Sequence, residues 1–251
     1  MEILLTSSYS VPLVVLSYFI SVAGSLIALV AARRIVGPGG RISLYHSATA
    51  GLALGGIGVW AMHFIGMLAL QLRVGVSYSM FETLISLVAA VVATAMALAY
   101  VAASPRSLVR LMVAGFLLGM GVVVMHYLGM FGMRFGGFIE WSYPIIGLST
   151  LIAIVVATVA LWLAFNTRTV IMRGLAASVM GAAVCSMHYT GMAAADFICT
   201  TATPQAIPSG LAVVSALQLP GWVVMFTVAA LFVLALDQFV RHTAESASAK
   251  P

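Results

Sequence analysis

Apolar residues run along this chain in seven long stretches, near residues 11–32, 44–70, 79–103, 108–132, 142–165, 170–195 and 218–240. Each reaches the roughly 20 residues that a helix needs to cross about 30 Å of hydrocarbon. Turn chemistry separates several of them: Gly37-Pro38-Gly39-Gly40, Ser104-Pro105, Tyr143-Pro144 and the stretch from Pro204 to Gly210, where helices start or stop. The pattern predicts an all-α fold, a seven-helix transmembrane bundle. The opening residues MEILLTSSYS carry no positive cluster, and the apolar run behind them is longer than a signal-peptide core. It therefore reads as a retained span.

Composition agrees: 63% of the 251 residues are hydrophobic and 7% charged, against roughly 25% charged in an ordinary soluble domain. The formal net charge is +5, but the basic residues are single or paired and form no stripe, so no nucleic-acid partner is expected. Their placement reads as topology. Arg33, Arg34, Arg41, Arg106, Arg110, Arg168, Arg173, Arg241 and Lys250 fall on one side of a seven-span chain, Arg73 and Arg134 on the other. Positive loops stay in the cytoplasm, so the N-terminus is expected outside and the C-terminus inside. Four carboxylates on the outer side, Glu2, Glu82, Glu140 and Asp196, read as solvated rim residues.

An internal repeat brings in chemistry. Met62-His63-Phe64-Ile65-Gly66-Met67, Met125-His126-Tyr127-Leu128-Gly129-Met130 and Met187-His188-Tyr189-Thr190-Gly191-Met192 share four positions. Their histidines are 63 and then 62 residues apart, and Gly56, Gly119 and Gly181 each stand seven before a histidine. The chain thus reads as three helix-pair repeats plus one final helix. Gly66, Gly129 and Gly191 fit the small-residue habit of membrane helix contacts. The histidines need another reason, because an imidazole in hydrocarbon is costly unless paired.

With the His at zero on a helical wheel, the following Met lies near 40°, the Gly near −60° and the preceding Met near −100°, all on one side. His63 is 19 residues from Leu44, His126 is 18 from Leu108 and His188 is 18 from Val170. At 1.5 Å per residue all three reach about the same depth, close to the outer edge of the membrane. Imidazole nitrogen with thioether sulfur suits copper, whereas magnesium and calcium need oxygen ligands. The candidate metal ligands are Met62, His63, Met67, Met125, His126, Met130, Met187, His188 and Met192.

Other reactive residues stand apart. Cys185 lies three before His188, where the other copies have Trp60 and Val123, and a lone buried thiol is usually inert. A continuous helix would hold Cys185 and Cys199 about 21 Å apart, too far for a disulfide, though a bend between them would change that. His46 and His242 lack flanking methionines and read as interfacial. Thr190 points about 160° from its histidine. No catalytic grouping is present, so no enzyme is expected.

The threefold motif, with Met187-His188-Tyr189-Thr190 spelling its name, resembles the MHYT domain, a family of bacterial membrane sensors, over residues 9–203. Residues 204–251 then supply an outer loop, the seventh helix and a short tail. The resemblance implies copper held by the motif Met and His residues, and a response to oxygen, carbon monoxide or nitric oxide. The first copy departs from it in having Phe64 for tyrosine. Many family members continue into cytoplasmic domains that make or degrade cyclic di-GMP. This chain ends eleven residues after the last span, so a separate cytoplasmic signalling partner is expected. Copper transport or storage, and haem held by paired axial ligands, are the alternatives.

Overall fold

The computed structural model describes residues 2–248. Among them are seven helices long and apolar enough to cross a membrane: α1 (Val11–Ala31), α2 (Leu44–Ala69), α3 (Met80–Ala102), α4 (Leu108–Phe131), α5 (Tyr143–Asn166), α6 (Val170–Met192) and α7 (Leu219–Ser248). Local chemistry sets their starts. Ser43, Ser107 and Thr169 cap the even-numbered helices by accepting from the backbone N–H groups of His46, Arg110 and Met172, which satisfies donors a helix start leaves open. Pro12 and Pro144 occupy the first turns of α1 and α5, where a missing N–H costs nothing.

Helices α1 to α6 pack each against the next, and α6 closes back on α1, giving a ring of six. The last helix, α7, packs on α2. With α1, α3 and α7 as neighbours, α2 is buried over 89% of its apolar window. The other helices turn apolar residues such as Phe19, Phe81, Leu117 and Phe232 outward, as contact with lipid requires. The chain is a multi-pass integral membrane protein.

Eight short strands, which the apolar pattern did not announce, decorate the face that carries the N-terminus. The strand before each odd-numbered helix pairs antiparallel with the strand after its even-numbered partner. Thus β2 (Ser8–Tyr9) pairs with β3 (Leu70–Gln71), β4 (Ser77–Ser79) with β5 (Met133–Arg134), and β6 (Gly137–Trp141) with β7 (Ala195–Cys199). Each helix pair is tied shut at one end, and backbone groups leaving the helices find partners. Strands β1 (Ile3–Leu4) and β8 (Val213–Ser215) add to β7 and β4. On this face Glu82 is not a free rim carboxylate: it pairs with Arg134 at 2.8 Å and accepts from Ser79. Glu140 and Asp196 stay exposed, opposite each other in the β6–β7 register.

A second departure lies within α2, where Leu52–Ala61 is π-helical. The cap Ser43 lies twenty residues before His63, whereas Ser107 and Thr169 lie nineteen before His126 and His188. One extra residue in an α-helix would turn all that follows by about 100°. Widening one stretch to π geometry absorbs it and keeps the first motif in phase with the others. Glycines let this wider stretch approach its neighbours: Gly24 of α1 meets Gly58, and Gly55 meets the Ala90 carbonyl of α3.

A methyl group at Gly55 would collide with the Ala90 backbone. Gly55→Ala is therefore expected to destabilise the bundle by about 1–3 kcal/mol, read as a lower unfolding temperature in detergent. Gly174→Ala, which meets nothing within 4 Å, is expected to hold or raise it.

Candidate metal centre

The even-numbered helices contact one another, and among them the three motif histidines meet. His63, His126 and His188 are buried, at 0%, 1% and 1% exposure. Their Nδ1 atoms form a triangle with sides of 3.1 Å (His63–His126), 3.1 Å (His63–His188) and 3.3 Å (His126–His188). The rings stand edge to face, with interplanar angles of 74°, 88° and 81°. The expectation that the three imidazoles converge is met.

The motif glycines belong to the site in a way that simple helix packing does not describe. A Cβ at Gly129 would collide with Nε2 of His63, one at Gly191 with Nε2 of His126, and one at Gly66 with Nε2 of His188. Each imidazole thus lies in the space left by the glycine of the next copy, in a one-way cycle. The fixed His-x-x-Gly spacing follows, since every motif must supply both a ring and a berth for its neighbour's ring.

The electrostatics of this arrangement are unusual. A neutral imidazole carries one N–H and one lone pair. None of the three buried Nε2 atoms makes a hydrogen bond of good geometry among the described residues; the backbone of Gly191 beside His126 and of Gly66 beside His188 gives at most a weak one. With the protons on Nε2, three lone pairs point at one centre. With a proton moved inside, it finds one neighbouring nitrogen and leaves others unpaired. A cation at the centre relieves this, and the triangle fits one. Its centre is about 1.8 Å from each nitrogen, close to the roughly 2.0 Å of a metal–imidazole bond, so these three residues could hold an ion.

Among the described residues this converging group contains the three histidines and no cysteine or carboxylate. Met62, Met67, Met125, Met130, Met187 and Met192 are all buried, none more than 2% exposed. Met187 also lines an apolar cavity within the ring. Cys185 is half-buried beside Ser17, Cys199 lies in β7, and both thiols are free. His46 stands at the far end of α2 with its Nδ1 2.9 Å from the Ser43 hydroxyl. The side chain of His242 lies outside the described residues. On the strand face Tyr78 packs beside Phe64, and burial pushes its phenol above the usual range, so it remains uncharged.

Sequence reasoning missed the hydroxyl pairs that tie the motif tyrosines to neighbouring helices. Tyr127 bonds Ser149 at 2.7 Å and Tyr189 bonds Ser17 at 3.0 Å. Each serine donates onward to a carbonyl, of Ile146 or Val14, so the tyrosine is the donor. In the first copy, where Phe64 has no hydroxyl, the indole N–H of Trp60 donates to Ser86 at 3.1 Å. The signal was present, since Ser86 and Ser149 are 63 residues apart, the period of the motif itself.

With this geometry in hand, comparison with known proteins is informative. The profile of the MHYT family, described as "Bacterial signalling protein N terminal repeat", matches residues 56–115, 119–177 and 181–246. A stretch of 199 residues, 77% of this chain, is 40% identical to the bifunctional diguanylate cyclase/cyclic di-GMP phosphodiesterase MucR of Pseudomonas aeruginosa and covers 29% of that protein. Another of 205 residues, 78% of the chain, is 29% identical to the signaling protein YkoW of Bacillus subtilis and covers 25% of it. The cyclic di-GMP phosphodiesterase NbdA of Pseudomonas aeruginosa is 34% identical over 156 residues, 59% of this chain and 20% of NbdA. The chain therefore spans less than a third of the length of these relatives. No solved structure matches it.

The glycine berths make a direct prediction. Gly191→Ala is expected to displace the His126 ring and destabilise the protein by about 1–3 kcal/mol. Gly147→Ala, with nothing within 4 Å, should stay within about 0.5 kcal/mol. Thermal unfolding of both variants in the same detergent checks the difference.

Proposed function

The chain belongs to the MHYT family, and on that premise we propose that it is a membrane sensor whose histidine trio holds copper and responds to a diatomic gas. The observation that carries this reading is the triangle of buried Nδ1 atoms with sides of 3.1–3.3 Å. Three imidazoles, with the buried motif thioethers on the same three helices, offer a donor set that favours copper over hard cations. Bound there, copper would supply a coordination position for oxygen, carbon monoxide or nitric oxide.

The chain's own residues do the rest. His63, His126 and His188 hold the ion between three helices, with Met62, Met67, Met125, Met130, Met187 and Met192 as candidate further donors. One turn away, Val59, Val122 and Val184 line an apolar cavity of about 30 Å³. Each stands four residues before a motif histidine. By size it could take one water, but a lining that is apolar except for Thr94 offers water few partners and suits a small apolar molecule. Ligation that favours one packing of the even-numbered helices over another is what a signal requires.

Beyond the motifs the cavity lining offers a single further thioether, Met180, and no imidazole, thiol or carboxylate, a thin ladder of donors that favours sensing over copper transport. Axial haem ligands stand on opposite faces of the porphyrin, and the trio leaves no room for that plane. The nine-to-two split of basic residues supports a trio toward the outside and an α7 that ends in the cytoplasm. We place the output there, in a cytoplasmic partner or domain that turns over cyclic di-GMP, as the name of MucR states for that protein.

Purified protein is expected to carry copper in stoichiometric amount by mass spectrometry, and His126→Ala to lose nearly all of it. Carbon monoxide should give an infrared band in the loaded protein that is absent from the variant. A metal-free chain that still drives a gas response in cells would overturn the reading.

A further inference from the structure

We propose that the first repeat copy is the output copy, and that Trp60 is the residue through which the trio acts on α7. This rests on the trio being the sensing site. Three departures from the repeat coincide in copy one and nowhere else. Phe64 replaces tyrosine, Trp60 stands where the other copies have Val123 and Cys185, and the helix carries one extra residue in its π-helical stretch. This copy is also the one on which α7 packs.

The contacts form a continuous path of rings. His63 meets Phe64 with centroids 4.8 Å apart, Phe64 meets Trp60 at 5.0 Å, and Trp60 meets Phe226 of α7 at 5.1 Å. In copies two and three the tyrosine hydroxyls end on Ser149 and Ser17 of the neighbouring ring helices. In copy one the indole N–H takes over the equivalent bond to Ser86, and the indole ring is left to bear on α7. Hence the loss of the tyrosine costs the first copy no link to the ring and gives it a contact with the extra helix.

The π-helical stretch Leu52–Ala61 contains Trp60 and ends just before Met62 and His63. Such a stretch takes up a change in register locally. Movement of His63 is thereby confined to the segment bearing on Phe226 and does not run down to the cap at Ser43. A second tie, from the Tyr45 hydroxyl to Asp237 at 2.9 Å, fixes α7 to the start of α2. The seventh helix can thus pivot at Phe226 about an anchored end.

The test uses the full chain in detergent with 5-fluorotryptophan at its four tryptophans. Trp222 reports on α7 and Trp162 of α5 is the reference. His126→Ala opens the trio from α4, and its ring lies against Gly191 of α6 and not against a glycine of α2; His126→Gln serves if the first variant does not fold. Opening the trio is expected to shift the Trp222 resonance by more than its line width and leave Trp162 in place. In a Trp60→Val background the same change should produce no shift. Trp60→Phe, which keeps a ring against Phe226 but drops the N–H to Ser86, should retain it, as a purely structural role for Trp60 would not predict. An equal Trp222 shift with and without a ring at position 60, or no shift at all, overturns the proposal. Because the perturbation needs no metal, copper content of the same samples judges the copper reading separately.

Discussion

Three imidazole Nδ1 atoms held within 3.1–3.3 Å of one another inside a hydrocarbon-covered bundle are the constraint on which the structure turns. Each of His63, His126 and His188 is removed from water, and none makes a hydrogen bond of good geometry through its Nε2 among the described residues. Burying one such polar group costs on the order of 1–3 kcal/mol when unpaired. A chain that places three together, at matched positions on three helices, holds an arrangement that packing alone does not reward. A central cation would turn the same geometry from a liability into a binding site.

The architecture can be derived from that requirement. Bringing three side chains to one axis takes three equivalent helices, and repeating a helix pair three times supplies them. The strand pairings at the motif end hold each pair closed, and Gly66, Gly129 and Gly191 open the space the neighbouring rings need. Symmetry is then broken in one copy only. There a seventh helix docks, Phe64 and Trp60 replace the tyrosine arrangement, and a π-helical stretch keeps the motif in phase despite its extra residue.

Much of this was legible in the chain, and the parts that were not have physical reasons. The seven spans follow from apolar runs, because a bilayer dictates both length and composition. Convergence of the histidines followed from repeat period and depth, two quantities fixed by helix geometry. The strands were invisible because pairs of two to five residues carry no alternation to detect. The π-helical stretch left a trace, since His63 is 19 residues from Leu44 while its counterparts are 18 from theirs. Only the requirement that the rings meet turns that one-residue excess into a change of helix type. The glycines looked like packing residues because their partner is an imidazole on another helix, which a single-helix wheel does not display. Glu82 looked like a solvated carboxylate because its partner, Arg134, lies 52 positions away and arrives through the β4–β5 pairing.

The most direct measurement of the central claim is X-ray absorption at the copper edge of loaded protein. The account predicts a first shell dominated by three nitrogen scatterers at about 2.0 Å, with the multiple-scattering pattern of imidazole rings. A shell of sulfur alone, or of oxygen, or one unchanged when all three motif histidines are replaced by alanine, would contradict it.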